Sequence, residues 1–556
     1  MRAGYVALGL VLAAAMAAQA LPLDLLGAPG GEDPLYRGWG GDIAASPDGL
    51  RVFVTGRNLD GANQFDYKTT AFDAATGDEL WTVAYDGPSS LQDWAIALAP
   101  SPRGDAVFVT GWSRDLTVTD MATVAYDARD GATQWAQRFH GPRDTASWTV
   151  GQDIAVAPDG QSVLVAGLAL PPGTPVNAVS FDFITISYDA ADGAQRWASW
   201  YNGPGNVEDW AYALAVSPDA SQAFVTGRSY SGVAKKWDYG TVAYDARDGR
   251  EQWVARYDGP GSFPASVPYA LTVEEWANGI VASPDGQRVF VAGRSYDDAR
   301  NYDMATLAYD ARDGGLAWVQ RYDGPAHLED GGYAAAVHPS AGLVYVTGWS
   351  ASEDADADFD YATVAYDTAT GNRVWEARYG PSSALDDLAL AVGVDPRGER
   401  VFVTGWSQGQ DGSDRYATVA YDARTGAQLW EAAVPARLAN NLDIAGRGNG
   451  PGNNLDLAAL SVAPDGRRVY VTGTTDGPAG DNDQFAVAYD AATGAEVWRT
   501  ASEQGPAEAK APSGELHRTA AQGRAATPGA PLLLAGALVA AVALCAGRRA
   551  KPPPQR

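Results

Sequence analysis

Ala488-Tyr-Asp-Ala-Ala-Thr-Gly-Ala-Glu-Val-Trp498 is the last of eight copies of one pattern. The copies end at Trp81, Trp135, Trp197, Trp253, Trp318, Trp375, Trp430 and Trp498, spaced 54, 62, 56, 65, 57, 55 and 68 residues apart. A period of this size is one supersecondary unit stacked many times. Working outward through the fourth copy, Asp209-Trp-Ala-Tyr-Ala-Leu-Ala-Val leads to Ser217-Pro-Asp-Ala and then to Gln222-Ala-Phe-Val-Thr-Gly227. Asp238-Tyr-Gly-Thr-Val-Ala-Tyr-Asp245 follows, and after Ala-Arg-Asp-Gly249 comes Glu251-Gln-Trp-Val-Ala-Arg-Tyr257. These are four short β-rich runs separated by Pro, Asp and Gly, so each unit reads as four antiparallel strands, A to D. One such sheet buries too little to stand alone. Eight of them arranged around an axis cover each other's faces, which predicts an all-β, eight-bladed β-propeller. The repeated Trp, near the start of strand D, is read as an apolar wedge between adjacent blades.

The motif resembles the tryptophan-docking motif of the quinoprotein-like propellers. With Val-Phe-Val-Thr-Gly in strand B, it resembles the PQQ-like and SBBP-type repeats of prokaryotic exported proteins, over residues 39 to 500. The resemblance implies the propeller fold. It also implies an alternative activity, that of a PQQ- and Ca²⁺-dependent quinoprotein dehydrogenase. Members that use the quinone commonly hold it over a Trp against a vicinal disulfide. This chain has one cysteine, Cys545, and hence neither a Cys-Cys pair nor a Cys-x-x-Cys-His haem motif. No catalytic residue, nucleophile elbow or phosphate loop is predicted, no cofactor is predicted, and PQQ is disfavoured.

The two ends predict an address. Residues 1–20 read as a signal peptide, with Arg2, an apolar run and Ala18-Gln19-Ala20. Residues 32–501 are the expected propeller, with repeats at 39–88, 89–142, 143–204, 205–260, 261–325, 326–381, 382–451 and 452–501. Residues 502–529 read as a flexible stalk. The uncharged run 530–547 reads as a transmembrane helix or sorting signal, and 548–556 as a basic cytoplasmic tail. The expectation is a membrane-anchored protein with its propeller outside the cytoplasm, at the cell surface or in the periplasm. Glu32 to Gly38 is a candidate clasp for the ring.

Net charge is −28, and losing Arg2, Arg548, Arg549, Lys551 and Arg556 with no acid leaves about −33. Such a surface argues against nucleic-acid binding. The expected partners are a protein or a glycan, together with the membrane through the C-terminal helix.

Strand order puts the B–C and D–A connections on one face and the short A–B and C–D turns on the other. The insertions all fall on the first face, where binding is expected. That face collects one acid before strand A (Asp42, Asp93, Asp153, Asp209, Glu275, Asp330, Asp387, Asp456) and one before strand C. Each is read as capping its own loop; a ring of such acids would attract Ca²⁺. Asp354, Asp356, Asp358 and Asp360 form a candidate Ca²⁺ loop, although without the glycine and glutamate of an EF-hand. Beside the acids lies a possible ligand face of Arg57, Trp94, Trp112, Trp210, Arg228, Trp276, Arg294, Trp349 and Trp406. These residues are suited to stacking and bidentate hydrogen bonds, or else to packing between blades.

Overall fold

The computed structural model describes residues 41–500 apart from 60–64, 117, 142–147, 172–179, 233–235, 262–272, 298–300, 353–357, 382–385, 410–412, 436–457 and 477–481. Contacts divide the chain into Met1–Gly505 and Pro506–Arg556, and the second unit lies outside the described residues. So do the signal peptide, the stalk, the apolar run 530–547, the basic tail and the candidate clasp. Among the described residues no helix is long and apolar enough to cross a membrane.

The described strands form eight antiparallel sheets, each built from a contiguous stretch of chain in the order A-B-C-D. Blade 1 runs from strand Asp42–Ala45 to Glu79–Tyr85, blade 2 from Asp93–Pro100 to Thr133–Phe139, and blade 3 from Thr149–Val156 to Gln195–Tyr201. Blade 4 comprises Asp209–Val216, Gln222–Tyr230, Lys236–Asp245 and Glu251–Tyr257. Blade 5 runs from Trp276–Ala282 to Leu316–Tyr322, and blade 6 from Asp330–Val337 to Arg373–Tyr379. Blade 7 runs from Asp387–Val394 to Gln428–Pro435, and blade 8 from Ala459–Val462 to Glu496–Arg499. A short strand, Val273–Glu274, adds a parallel pairing to blade 4 at Lys236 and Trp237. The A strands of successive blades touch all the way round, blade 8 meeting blade 1. This is the eight-bladed propeller that the repeat predicts.

Strands B and C carry the core. Val, Phe, Tyr and Ala alternate along them and are almost wholly buried, because both sheet faces pack on neighbouring blades. The turns are set locally. In the first A–B turn the Ser46 hydroxyl donates to Asp48 and accepts from the Arg51 N–H at 2.9 Å, with Gly49 at φ +69°.

The repeat motif explains blade stacking. The indole Nε1 of Trp318 in blade 5 donates to the Thr368 carbonyl of blade 6 at 3.0 Å. Its ring lies on Gly371, where a Cβ would come within 2.7 Å of it. The same pairing recurs at all eight junctions, with donor distances of 3.0–3.2 Å, from Trp81 to Ala128 through to Trp498 back to Ala74. The Trp at one end of the motif therefore docks on the turn at the other end of the next copy. Closure uses the same contacts. Ile43, Val52 and Val54 pack with Tyr470, Ala486 and Trp498. Gln484 reaches the Thr55 carbonyl, and Arg468 reaches the Ala74 carbonyl. Among the described strands none is shared between the first and last sheets.

Candidate functional site

The B–C/D–A face is organised by a polar layer and, one residue further along each strand, an aromatic one. The polar layer begins with the acid at the start of strand A. It accepts the N–H of the Gly-Pro turn that precedes it: Gly87 to Asp93, Gly203 to Asp209 and Gly324 to Asp330, each at 2.7 Å, and Gly259 to both oxygens of Glu275 at 2.8 Å. These acids are at most 1% exposed. Burial pushes their carboxyls up, to about 6 at Asp93, about 7 at Asp330 and Asp387, and about 8 at Glu275.

Two of the acids expected at this level lie elsewhere. Asp42 and Asp153 pair with Thr55 and Ala166, the register of Ala97 and Ala213 rather than that of Asp93 and Asp209. Each instead reaches across to a Leu N–H of strand A in a neighbouring blade, Leu98 at 3.0 Å and Leu214 at 2.7 Å. A bulge in strand A separates the two levels. In blade 3, Thr149 stands where other blades have the acid. Asp456 lies outside the described residues.

Strand C supplies the second acid of the layer, and a strand-D arginine answers it. Asp120 pairs with Arg138 at 2.5 Å, Asp238 with Arg256 at 2.8 Å, Asp303 with Arg321 at 2.9 Å and Asp360 with Arg378 at 2.9 Å. Arg321 also donates to the Ser295 hydroxyl at 2.7 Å and to the Ser295 carbonyl at 2.8 Å. Sequence reading missed these arginines; their signal is Trp-x-x-Arg-aromatic, present in blades 2, 4, 5 and 6 only. Blade 3 has Trp200 in that place. There Asp182 is 2% exposed, its Oδ1 has no hydrogen-bond partner among the described residues, and burial plus the nearby Asp209 carboxylate raise it to about 7.

Three acid groups bring ligand atoms within 4.8 Å of one another: Asp66, Asp86 and Asp93; Asp238, Asp258 and Glu275; Asp303, Asp323 and Asp330. These are the carboxylates that could hold a hard cation. In the last two groups Arg256, Lys236, Arg321 and His327 already pair with members. Of the candidate Ca²⁺ loop, Asp354 and Asp356 lie outside the described residues. Asp358 accepts the Ser352 hydroxyl, and Asp360 is bound to Arg378.

In the aromatic layer, one strand-A and one strand-B residue face each other across each described pairing. They are Trp94 and Trp112 in blade 2, Val150 and Leu168 in blade 3, and Trp210 and Arg228 in blade 4. Blade 5 has Trp276 and Arg294, blade 6 Gly331 and Trp349, and blade 7 Leu388 and Trp406. Arg57 occupies the strand-B place in blade 1, 4.3 Å from the Phe65 ring and 4.5 Å from the Trp94 ring. Trp94 and Trp112 lie 5.3 Å apart with their rings tilted, as do Tyr333 and Trp349. The structure thus brings the nine candidate ligand-face residues to one level of one face, largely buried. Arg57, Arg228 and Arg294 lie over aromatic rings.

A family profile described as "Outer membrane protein assembly factor BamB", of the PQQ_2 type, matches residues 23–234, 238–447 and 415–543. Among solved structures, Sqt1 from Chaetomium thermophilum is similar at 15% identity and TM-score 0.48, covering 79% of this chain and 93% of that one. BamB from Moraxella catarrhalis gives 13% identity and TM-score 0.39, covering 78% and 90%. Quinohemoprotein alcohol dehydrogenase from Comamonas testosteroni gives 12% and 0.44, covering 80% and 71%. No curated protein matches the chain. Matched over most of its length, the chain belongs to the PQQ_2, BamB-type family.

Proposed function

Since the chain belongs to the BamB-type family of PQQ-like propellers, we propose that it is an exported, membrane-anchored propeller that binds a protein partner through its B–C/D–A face. The observation that carries this reading is the contrast between the two layers of that face. The strand-A acid of the polar layer recurs in blades 2, 4, 5, 6 and 7, whereas the layer above it takes five different pairings in six described blades: Trp with Trp, Val with Leu, Trp with Arg twice, Gly with Trp, Leu with Trp. A rigid frame with position-specific side chains and variable loops on one rim is suited to recognition. The apolar run 530–547 and the apolar leader support export and anchoring. A glycan partner and the dehydrogenase alternative make different demands, an open aromatic platform in one case and a quinone site in the other.

The test is site-specific photo-crosslinking in the native envelope. A crosslinker at Ser231, beside the B–C connection of blade 4, is expected to give discrete protein adducts. One at Asp48, in the opposite A–B turn, should give none. Adducts from Asp48 alone would overturn the choice of face. Calorimetric titration of PQQ with Ca²⁺ into the same protein is expected to give no heat; stoichiometric binding would replace this reading with the dehydrogenase.

A further inference from the structure

The Gly-Pro turns that join strand D of one blade to strand A of the next depend on a glycine that packing makes obligatory. At Gly203 a Cβ would come within 2.2 Å of the Ser229 Oγ and 2.6 Å of the Asp209 Oδ1. Gly87, Gly259 and Gly324 would meet the equivalent serines at 2.2–2.3 Å. The residue before this glycine is less constrained. In blades 1 to 5 it is Asp86, His140, Asn202, Asp258 and Asp323. Where that residue is asparagine, as in blade 3, the turn is bound to contain Asn-Gly. This is the dipeptide whose side-chain amide is most easily lost, because a glycine without Cβ lets its backbone nitrogen close on the asparagine Cγ.

The surroundings of Asn202 supply the rest of the chemistry. Its side chain is exposed to water. The Gly203 N–H donates to the Asp209 Oδ2 at 2.7 Å, the reach required of a general base. Asp209 is wholly buried and its Oδ1 accepts the Tyr230 N–H at 3.0 Å, so the carboxylate is fixed on that nitrogen. The Asn202 Nδ2 donates to the Asn206 Oδ1 at 2.6 Å, and Asn206 is held in the left-handed region at φ +49°. A second Asn-Gly, Asn278-Gly279, has the opposite setting. Asn278 lies in strand A of blade 5, is 6% exposed, and gives Nδ2 to the Gly332 carbonyl of the next blade at 2.9 Å. The third, Asn449-Gly450, lies outside the described residues.

We propose that Asn202 is a site of self-modification, at which the side-chain amide is converted to an acid with Asp209 as the base. Asp209 takes the proton of the Gly203 nitrogen as that nitrogen bonds to the Asn202 Cγ. The Cγ–Nδ2 bond breaks, the proton leaves with the departing ammonia, and a succinimide remains. Water then opens one of its two carbonyls, giving aspartate from one and isoaspartate from the other. The reactants are the chain and one water; the products are the acid and ammonia. The new carboxylate stands at the position that Asp86, Asp258 and Asp323 occupy in the acid groups of blades 1, 4 and 5. Blade 3 has Trp200 where blades 4 and 5 have the arginine that answers the strand-C acid. The conversion is therefore a one-way, time-dependent gain of negative charge on the B–C/D–A face, whatever that face binds.

The test is peptide mapping by mass spectrometry of the full chain after timed incubation at pH 8, folded and in denaturant. In denaturant Asn202 and Asn278 should lose their amides at similar rates. In the folded chain Asn202 is expected to convert, as a mixture of aspartate and isoaspartate, while Asn278 stays an amide. Asp209→Asn keeps an acceptor for the Gly203 N–H and removes the base. In a variant shown to be folded by its thermal transition, it should slow the conversion ~10-fold or more. An Asn202 that stays an amide in the folded chain, or an Asn278 that converts as fast, would overturn the proposal. Undiminished conversion in folded Asp209→Asn would overturn the role of Asp209. Should that variant not fold, the wild-type chain decides the same point: with Asp209 acting as the base, Asn202 converts faster folded than in denaturant, and a slower folded rate removes that role.

Discussion

At the scale of single residues, stability rests on a pairing that neither partner makes alone. Trp318 is 8% exposed, hydrogen-bonded to Thr368 and pressed on Gly371. Trp318→Ala removes an indole from a tightly packed seam and should destabilise the ring by ~3–5 kcal/mol. Gly371→Ala should cost a comparable ~2–4 kcal/mol, because φ is +74° and the new methyl enters the indole. Chemical denaturation of the two single variants and the double variant checks this. The expected double-variant loss is smaller than the sum, since both act at one contact. The wedge tryptophans and turn glycines are plain in the sequence because each recurs eight times. Arg228 is also visible there, as the residue after the strand-B glycine. That it lies over the rings of Trp210 and Trp276, with no carboxylate paired to it among the described residues, is not, because that depends on what the neighbouring strands bring around it.

At the scale of strands, the structure shows why the polar layer was only half legible. Asp238 lies diagonal to Arg256, which faces Gly240. The bulge between Ala243 and Tyr244 sets that register, and no residue type announces it. Asp42 and Asp153 lie further along strand A than the level of Asp93, and in blade 3 a bulge falls between Asp153 and that level. The layer carries a pH signature. Burial raises Asp182, Asp330 and Asp387 to about 7 and Glu275 to about 8, above their unfolded values. Between the unfolded and folded values the native state holds more protons, so its stability falls as pH rises through 4 to 8. The C–D turn aspartates, such as Asp73 and Asp490, act in the opposite sense. Backbone N–H groups and the Thr76 hydroxyl lower Asp73, the Thr493 hydroxyl lowers Asp490, and the stability they add is lost as pH falls below about 4. Thermal unfolding should therefore peak in the mildly acidic range. Asp330→Asn keeps an acceptor for the Gly324 N–H and removes the charge. It should raise Tm at pH 8 and leave it nearly unchanged at pH 5; an equal shift at both values would show that Asp330 is not the titrating group.

At the scale of the whole molecule, the ring holds together by a seam of side chains. Blades 8 and 1 meet through Trp498, Tyr470, Gln484 and Arg468, the same kinds of contact that join the other blades. Trp498→Ala should therefore raise amide hydrogen exchange in blades 1 and 8 selectively, whereas Trp318→Ala should raise it in blades 5 and 6. Uniform acceleration in both variants would mean that the ring opens only as one cooperative unit. The described sheets also bear on how such chains change in length. Because no described blade is divided between the two ends, an in-frame duplication or deletion of one motif-to-motif stretch adds or removes a whole sheet and leaves no half-sheet behind. The new end finds the same indole-on-glycine seat as the old one. Copy number is then limited by how wide a wedge each unit makes, and lineages of this chain are free to drift in circumference while keeping every seam intact.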